Sequence, residues 1–230
     1  MRESLLEGRV LLIDKPLEWT SFDAVNKIKS ILRHRLGIKK IKVGHAGTLD
    51  PLASGLLIIC TGKATKQIDT YQGLPKVYTG TFFLGKTTLS FDLETKPEGD
   101  YPTCHITGEL IRQAAASLTG WQQQMPPLFS AKKIEGERAY TFARKGLHAE
   151  LKPREVHVEQ FEITSTELPE IDFRIKCSKG TYIRALARDF GQRLQSGAYL
   201  SALRRTHIGD FSVSQALQMH ELEEQFTSNY

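Results

Sequence analysis

Lys42 to Lys66 reads KVGHAGTLDPLASGLLIICTGKATK. A single carboxylate, Asp50, sits on a glycine-rich loop that runs into an apolar segment. Gly44, Gly47 and Gly55 remove side-chain bulk around the acid, and Pro51 fixes its own φ while biasing Asp50 toward an extended backbone. Leu56 to Cys60 is a short, continuously apolar run, the pattern of a buried strand, so the loop is anchored on a rigid element. An Asp-Pro pair among glycines is also an ordinary turn former, whose carboxylate bonds nearby backbone. The neighbours favour chemistry over a bare turn. His45 and Thr48 share the loop, and the run closes on Thr61, Gly62, Lys63, Thr65 and Lys66.

The 230 residues, 40% of them hydrophobic, can bury one core, or one core carrying an insertion. No apolar run reaches the roughly 20 residues that cross a bilayer, and MRESLLEGRV lacks the apolar centre of a secretory signal. A soluble, cytoplasmic chain is expected. Cys60, Cys104 and Cys177 are odd in number and far apart, which argues for reduced, structural thiols and against a disulfide framework or zinc pattern.

The net charge of +5 is unevenly placed. Lys27, Lys29, Arg33, Arg35, Lys39, Lys40 and Lys42 occupy a segment with no acid in it, running straight into the candidate loop. After Arg205 there is no Lys or Arg, and Asp210, Glu221, Glu223 and Glu224 make the tail acidic. A basic run beside a reactive carboxylate suits a polyanionic substrate, and nucleic acid is the natural partner. The plainer reading of such a run is a solvated helix face.

Strands are expected at Arg9 to Asp14, Val77 to Leu84, Val156 to Glu162, Asp172 to Cys177 and Leu200 to Arg205. A helix should begin near Thr20 or Ser21, because Phe22, Val25, Ile28, Ile31, Leu32 and Leu36 keep helical spacing; Asp23 suits its first turn and Gly37 its stop. Further helices are expected at Ala64 to Tyr71, Thr107 to Leu118, Ala139 to Arg144 and Tyr182 to Gln195, with Gly120 as an exit signal. Strands separated by such helices give an α/β or α+β class. Pro126-Pro127 and Pro153 bracket a stretch rich in Lys and Arg, which reads as an inserted lobe over about 126–153.

The loop resembles the catalytic motif of bacterial tRNA-type pseudouridine synthases, the TruB family. Other blocks follow in the family's order: VLLIDKPLEWTSFDAV, KVYTGTFFLGKTT, SFDLET, MPPLFSAKKIEGERAYTFARKG, CSKGTYIRALARDFG and YLSALRRTHIG. Ordered blocks from about Val10 to Gly209 are far more specific than one short motif. The resemblance implies a pseudouridine synthase fold, a mixed and mostly antiparallel central sheet flanked by helices with an RNA-binding insertion. It implies one catalytic domain over 1–230, here without the C-terminal PUA domain that many relatives carry. Ala46 stands where threonine is frequent, a change that leaves the acid untouched.

The implied activity is isomerisation of uridine to pseudouridine in the T-loop of tRNA, at position 55, by base flipping and an aspartate-dependent break and re-attachment of the glycosidic bond. No cofactor and no metal are expected. By resemblance, Asp50 is the nucleophile, through attack at ribose C1′, attack at uracil C6, or assistance to glycal formation. Arg184 would pair with it, and Asp92 would hold that arginine when no RNA is bound; by itself Asp92 reads as an ordinary loop acid. Tyr78 would stack on the extruded uracil and serve the C5 proton, Tyr182 and Leu203 would line the pocket, and His45 would contact rearranged bases. Taken alone, Tyr78, Tyr182 and Leu203 pass as core residues. Lys15-Pro16 would brace the loop. Lys39, Lys40, Lys42, Lys132 and Lys133 are expected to bind RNA. The expected partner is the T-arm of tRNA, with no membrane, no obligate protein partner and a monomeric state. A non-catalytic tRNA-binding or folding module and an aspartate-dependent hydrolase are the alternatives from other classes.

Overall fold

The computed structural model describes residues 2–129, 133–134, 137–138 and 151–227. Two compact units divide the chain: 1–78 with 203–230, and 79–202. In the first, α1 (Arg2–Glu7) precedes β1 (Val10–Lys15), α2 (Ser21–Leu36), β2 (Val43–His45) and β3 (Ala53–Thr61). A 3-10 turn (Gly62–Gln67) and α3 (Ile68–Gly73) lead to β4 (Lys76–Leu84). After the second unit, the far end of β10 (Ala198–Ile208), β11 (Phe211–Ser212) and α6 (Met219–Thr227) complete the first.

The apolar run after the loop makes β3 the central strand of this unit, because it is buried on both faces. Leu57 and Ile59 pack with α2 residues Val25, Ile28 and Leu32 and with Leu222 of α6. Leu56, Ile58 and Cys60 pack on the other side with Ile208, Ile68 and Leu74. Each fully buried Leu or Ile contributes roughly 1.5–3 kcal/mol. β1 runs antiparallel along one edge of β3, from Val10↔Cys60 to Lys15↔Gly55. The other edge is shared: β10 pairs parallel at Ala53 to Gly55, and β2 antiparallel at Ile59 to Thr61. The neighbours part between Gly55 and Ile59, and the loop carrying Asp50 occupies the gap.

Helix α2 starts as expected. Thr20 and Asp23 form a reciprocal capping box, and Gly37 closes the helix in the left-handed region at φ 63°. Phe22 departs from the expected apolar face and is 62% exposed, since the position after the buried Ser21 turns outward. The expected single helix Ala64 to Tyr71 is instead the 3-10 turn followed by α3.

The second unit holds the start of β10, the rest of β4, α4 (Gly108–Ser117), β5 (Gly120–Gln124), the pair β6 (Lys133–Ile134) and β7 (Glu137–Arg138), β8 (Arg154–Glu167), β9 (Glu170–Cys177) and α5 (Ile183–Arg193). Its sheet runs β10-β4-β9-β8-β5, so the sheet as a whole is mixed and mostly antiparallel. Its core is aromatic: Phe82 lies 4.3 Å from Phe173 and 5.4 Å from Phe190, ring to ring. β5 is unforeseen, being a polar WQQQ segment whose pairing with β8 overrides a poor strand composition. The expected helix Ala139 to Arg144 and Lys132 lie outside the described residues, as does the side chain of Lys133. Cys60 and Cys177 are buried thiols, whereas Cys104 is exposed and so is no core residue.

Candidate active site

Asp50 is half-buried, and the backbone on both sides of it is pinned. The buried Ser21 hydroxyl accepts from the Leu49 N–H at 2.8 Å and donates to the Leu49 carbonyl at 3.2 Å. Glu18 donates its N–H to the Pro51 carbonyl at 2.8 Å, and Ala53 donates to the Asp50 carbonyl at 3.1 Å. Upstream, the Ala46 N–H reaches the Ile58 carbonyl at 2.9 Å, extending the β2 pairing into the loop.

Arg205 completes the support. Its guanidinium is 1% exposed and spends its donors on carbonyls: Nε to Leu56 at 2.7 Å, and the terminal nitrogens to Gly47 at 3.1 Å and Thr48 at 3.4 Å. Gly55 allows this closeness. At φ 104°, any Cβ would meet the Arg205 carbonyl oxygen at 2.3 Å. Ser21 and Arg205 carry no motif signal of their own. Strand alternation is the one clue for the arginine, because of two successive arginines in β10 one must face inward. Arg204 is the outward one, in a bidentate pair with Asp14 at 2.6 and 3.1 Å.

Lys15 is fully buried and donates to the Pro16 and Trp19 carbonyls at 2.8 and 2.6 Å. Burial pulls its ammonium down to about 8, with Asp50 opposing that shift and Arg205 adding to it. Asp50 is thus the foremost negative neighbour of a buried cation. His45, in β2, has its pKa lowered by burial first and by the Arg205 guanidinium second, which favours the neutral ring. Tyr78 lies in β4 at 9% exposure, and Leu203 pairs with Ala53 at the start of β3.

The basic segment divides in two. Lys27 and Arg35 pair with Glu223 of α6 at 2.7 and 3.5 Å, so part of the run holds the acidic tail. Lys39, Lys40 and Lys42 are exposed on the coil that enters β2, where phosphates can reach them.

Within the second unit, Arg184 opens α5 and is 4% exposed. Its Nε lies 3.4 Å from Asp92 Oδ2, and a terminal nitrogen donates to the Ser90 carbonyl at 3.1 Å. Tyr182 is the N-cap residue of α5. The buried Gln124 amide clamps its backbone, accepting from the Tyr182 N–H at 2.8 Å and donating to its carbonyl at 3.1 Å. Gln124 lies on the unforeseen β5, which explains why the sequence did not mark it. Arg154 sits over the Tyr182 ring at 6.0 Å. Among the described residues no group of three or more His, Cys, Asp or Glu side chains could hold a metal ion.

Comparison with known proteins places the chain in a family. The family model described as TruB family pseudouridylate synthase, N-terminal domain, matches residues 33–183, and that of the tRNA pseudouridylate synthase B C-terminal domain matches 184–230. A tRNA pseudouridine synthase B of Flavobacterium johnsoniae is 55% identical over 96% of this chain and 97% of its own length. One from Phocaeicola vulgatus is 54% identical over 95% and 93%. Among solved structures, a chain of a Cbf5-Nop10-Gar1 complex superposes with a TM-score of 0.72 at 30% identity, covering 96% of this chain and 54% of that one. This chain therefore spans about half the length of that structural relative.

Proposed function

Because the chain belongs to the TruB family of pseudouridylate synthases, we propose that Asp50 is the nucleophile with which it isomerises uridine to pseudouridine at position 55, in the T-loop of tRNA. The protein is an isomerase acting on tRNA. The supporting observation is Asp50 itself, half-buried between two pinned residues with the buried Lys15 as a cationic neighbour.

The reaction breaks C1′–N1, joins C1′ to C5, releases the C5 proton and places a proton on N1, so it balances without an oxidant or group donor. A carboxylate divides this rearrangement into easier steps by bonding to the substrate and leaving again. The target uridine is stacked in the folded loop and has to be extruded, which calls for a pocket that replaces the lost stacking. Tyr78 supplies an aromatic face and a phenol for the C5 proton, Leu203 and Tyr182 supply walls, and His45 contacts the displaced bases. Arg184 is assigned to the acid as its guanidinium partner on the substrate complex, with Asp92 holding it beforehand. Lys39, Lys40 and Lys42 take phosphates. The proposal extends to a single catalytic domain with an RNA-gripping lobe at about 126–153, working as a cytoplasmic monomer. No helix among the described residues is long and apolar enough to cross a membrane.

The test is incubation of an unmodified tRNA transcript carrying 5-tritiated uridine with the protein and no cofactor. Tritium release that maps to position 55 is expected. Release of free uracil would mean a hydrolase, and binding without release would mean a non-catalytic module.

Lys15 gives this activity a pH signature. The ammonium is charged below about pH 8, where its attraction to Asp50 helps hold that side chain in position; the attraction disappears as the pH rises. We expect kcat/KM to fall through an apparent pKa near 8, and Lys15→Met to flatten this limb at a lower rate. Unfolding does not mimic the effect. With a folded pKa below that of the unfolded chain, Lys15 makes folding more favourable as the pH rises between about 8 and 10.5. A parent profile level to pH 9.5 would contradict the assignment.

A further inference from the structure

Tyr182 occupies the N-cap of α5, yet its side chain makes no hydrogen bond to the first turn. Ser, Thr, Asp or Asn at this place would satisfy a helix N–H and stabilise α5. An aromatic stands there instead, and two residues from outside the helix hold it. Gln124, 1% exposed, matches its amide to both backbone groups of Tyr182, accepting from the N–H at 2.8 Å and donating to the carbonyl at 3.1 Å. That carbonyl also accepts from the Leu186 N–H at 3.2 Å, the bond that opens the helix. Arg154 lies 6.0 Å over the ring, and its guanidinium packs against the turn before it, where a Cβ on Gly180 would meet a terminal nitrogen at 3.3 Å.

Gln124 and Arg154 form one support. They face each other across the last rung of the β5–β8 ladder, and the stretch assigned above to gripping RNA leaves and returns at that rung. Two residues beyond Tyr182, Arg184 is held in turn by Asp92 and the Ser90 carbonyl. A buried amide that uses its donor and its acceptor on a single residue fixes that residue in two directions. The cation over the aromatic face restrains the tilt of the ring. Since an ordinary cap would suffice for the helix, this arrangement serves the direction of the side chain. The Tyr182 ring is only half-buried, so part of its surface is left for a ligand.

Resting on the function proposed above, we propose that Gln124 and Arg154 are positioning residues for the isomerisation, which together set the Tyr182 ring in the orientation that receives the extruded uracil. Neither touches the substrate. Gln124 acts through the Tyr182 backbone and Arg154 through its ring, so the grip on RNA and the wall of the pocket share one foundation.

The test uses the full chain and unmodified tRNA transcripts, comparing the parent with Q124M, R154M, R154K, Y182L and R154M/Y182L. Single-turnover tritium release at saturating tRNA should fall at least about tenfold in Q124M and about fivefold in R154M. R154K keeps a cation over the ring and should recover most of the rate lost in R154M. Affinity for tRNA should stay within about twofold of the parent with the same salt dependence; a slope lowered by about one in R154M would make Arg154 a phosphate contact and overturn the proposal. In Y182L the ring is gone, so R154M should add less than about twofold to the loss, whereas its full effect in that background overturns the coupling through Tyr182. Parent-like rates per folded molecule, beside lower unfolding temperatures, reduce both residues to structural ones and also overturn it. Q124M leaves the Tyr182 N–H unpaired, and should it fail to fold, the Arg154 series decides alone. Should the parent itself release no tritium, the catalytic reading fails instead. Fluorine NMR of a fluorotyrosine placed at position 182 then tests the pair by itself: a sharp parent resonance that broadens in R154M supports the hold on the ring, and equal line shapes overturn it.

Discussion

Asp50→Asn should release no measurable tritium, a loss of at least about a thousandfold, while still binding tRNA. The amide nearly matches the carboxylate in shape but cannot bond to an electrophilic carbon and later depart. The fold should persist at some cost in stability, because the change also removes the foremost negative neighbour of the buried Lys15. The loop is held through the backbone at Leu49, Asp50 and Pro51 and through Arg205 to Gly47 and Thr48, none of which uses the Asp50 side chain. A cooperative unfolding transition well above the assay temperature and intact gel-shift binding would locate the defect in chemistry. Residual turnover above a few per cent would remove Asp50 as the nucleophile.

Arg184→Lys should cost about a hundredfold in kcat, with a smaller change in tRNA affinity. The guanidinium directs one nitrogen to the Ser90 carbonyl and another to Asp92, and an ammonium on a flexible stem cannot reproduce that fork. A partner left in a site only 4–5% exposed is also destabilised, so a lower unfolding temperature should accompany the kinetic loss. Single-turnover rates at saturating RNA separate the two effects. If turnover per folded molecule matches the parent, Arg184 is a structural residue alone.

Much of the first unit is visible in its sequence because the signals are local. The Thr20–Asp23 box, the Gly37 stop and the apolar run of β3 each need only a few neighbouring residues to be read. The placement of Asp50 on a loop entering a buried strand follows from the same run. What escaped depends on partners far along the chain. The WQQQ strand exists because β8 lies beside it, and Gln124 gains its role only when Tyr182 arrives 58 residues later. Ser21 and Arg205 look ordinary until Leu49, Gly47, Thr48 and Leu56 are folded against them. Glu223 appeared as part of an acidic tail, and its pairing with Lys27 and Arg35 shows that a run of like charge need not be devoted wholly to a ligand.

Gly55 has no side chain, yet it decides how closely β10 and Arg205 approach the strand behind the Asp50 loop. A methyl group there would push β10 outward, carry the buried guanidinium away from its carbonyls and slacken the segment before Asp50. With Asp50 as the proposed nucleophile, the tolerance for error is set behind it, in the strand that backs its loop, and the most economical way to disarm it would be to thicken that spine by one carbon.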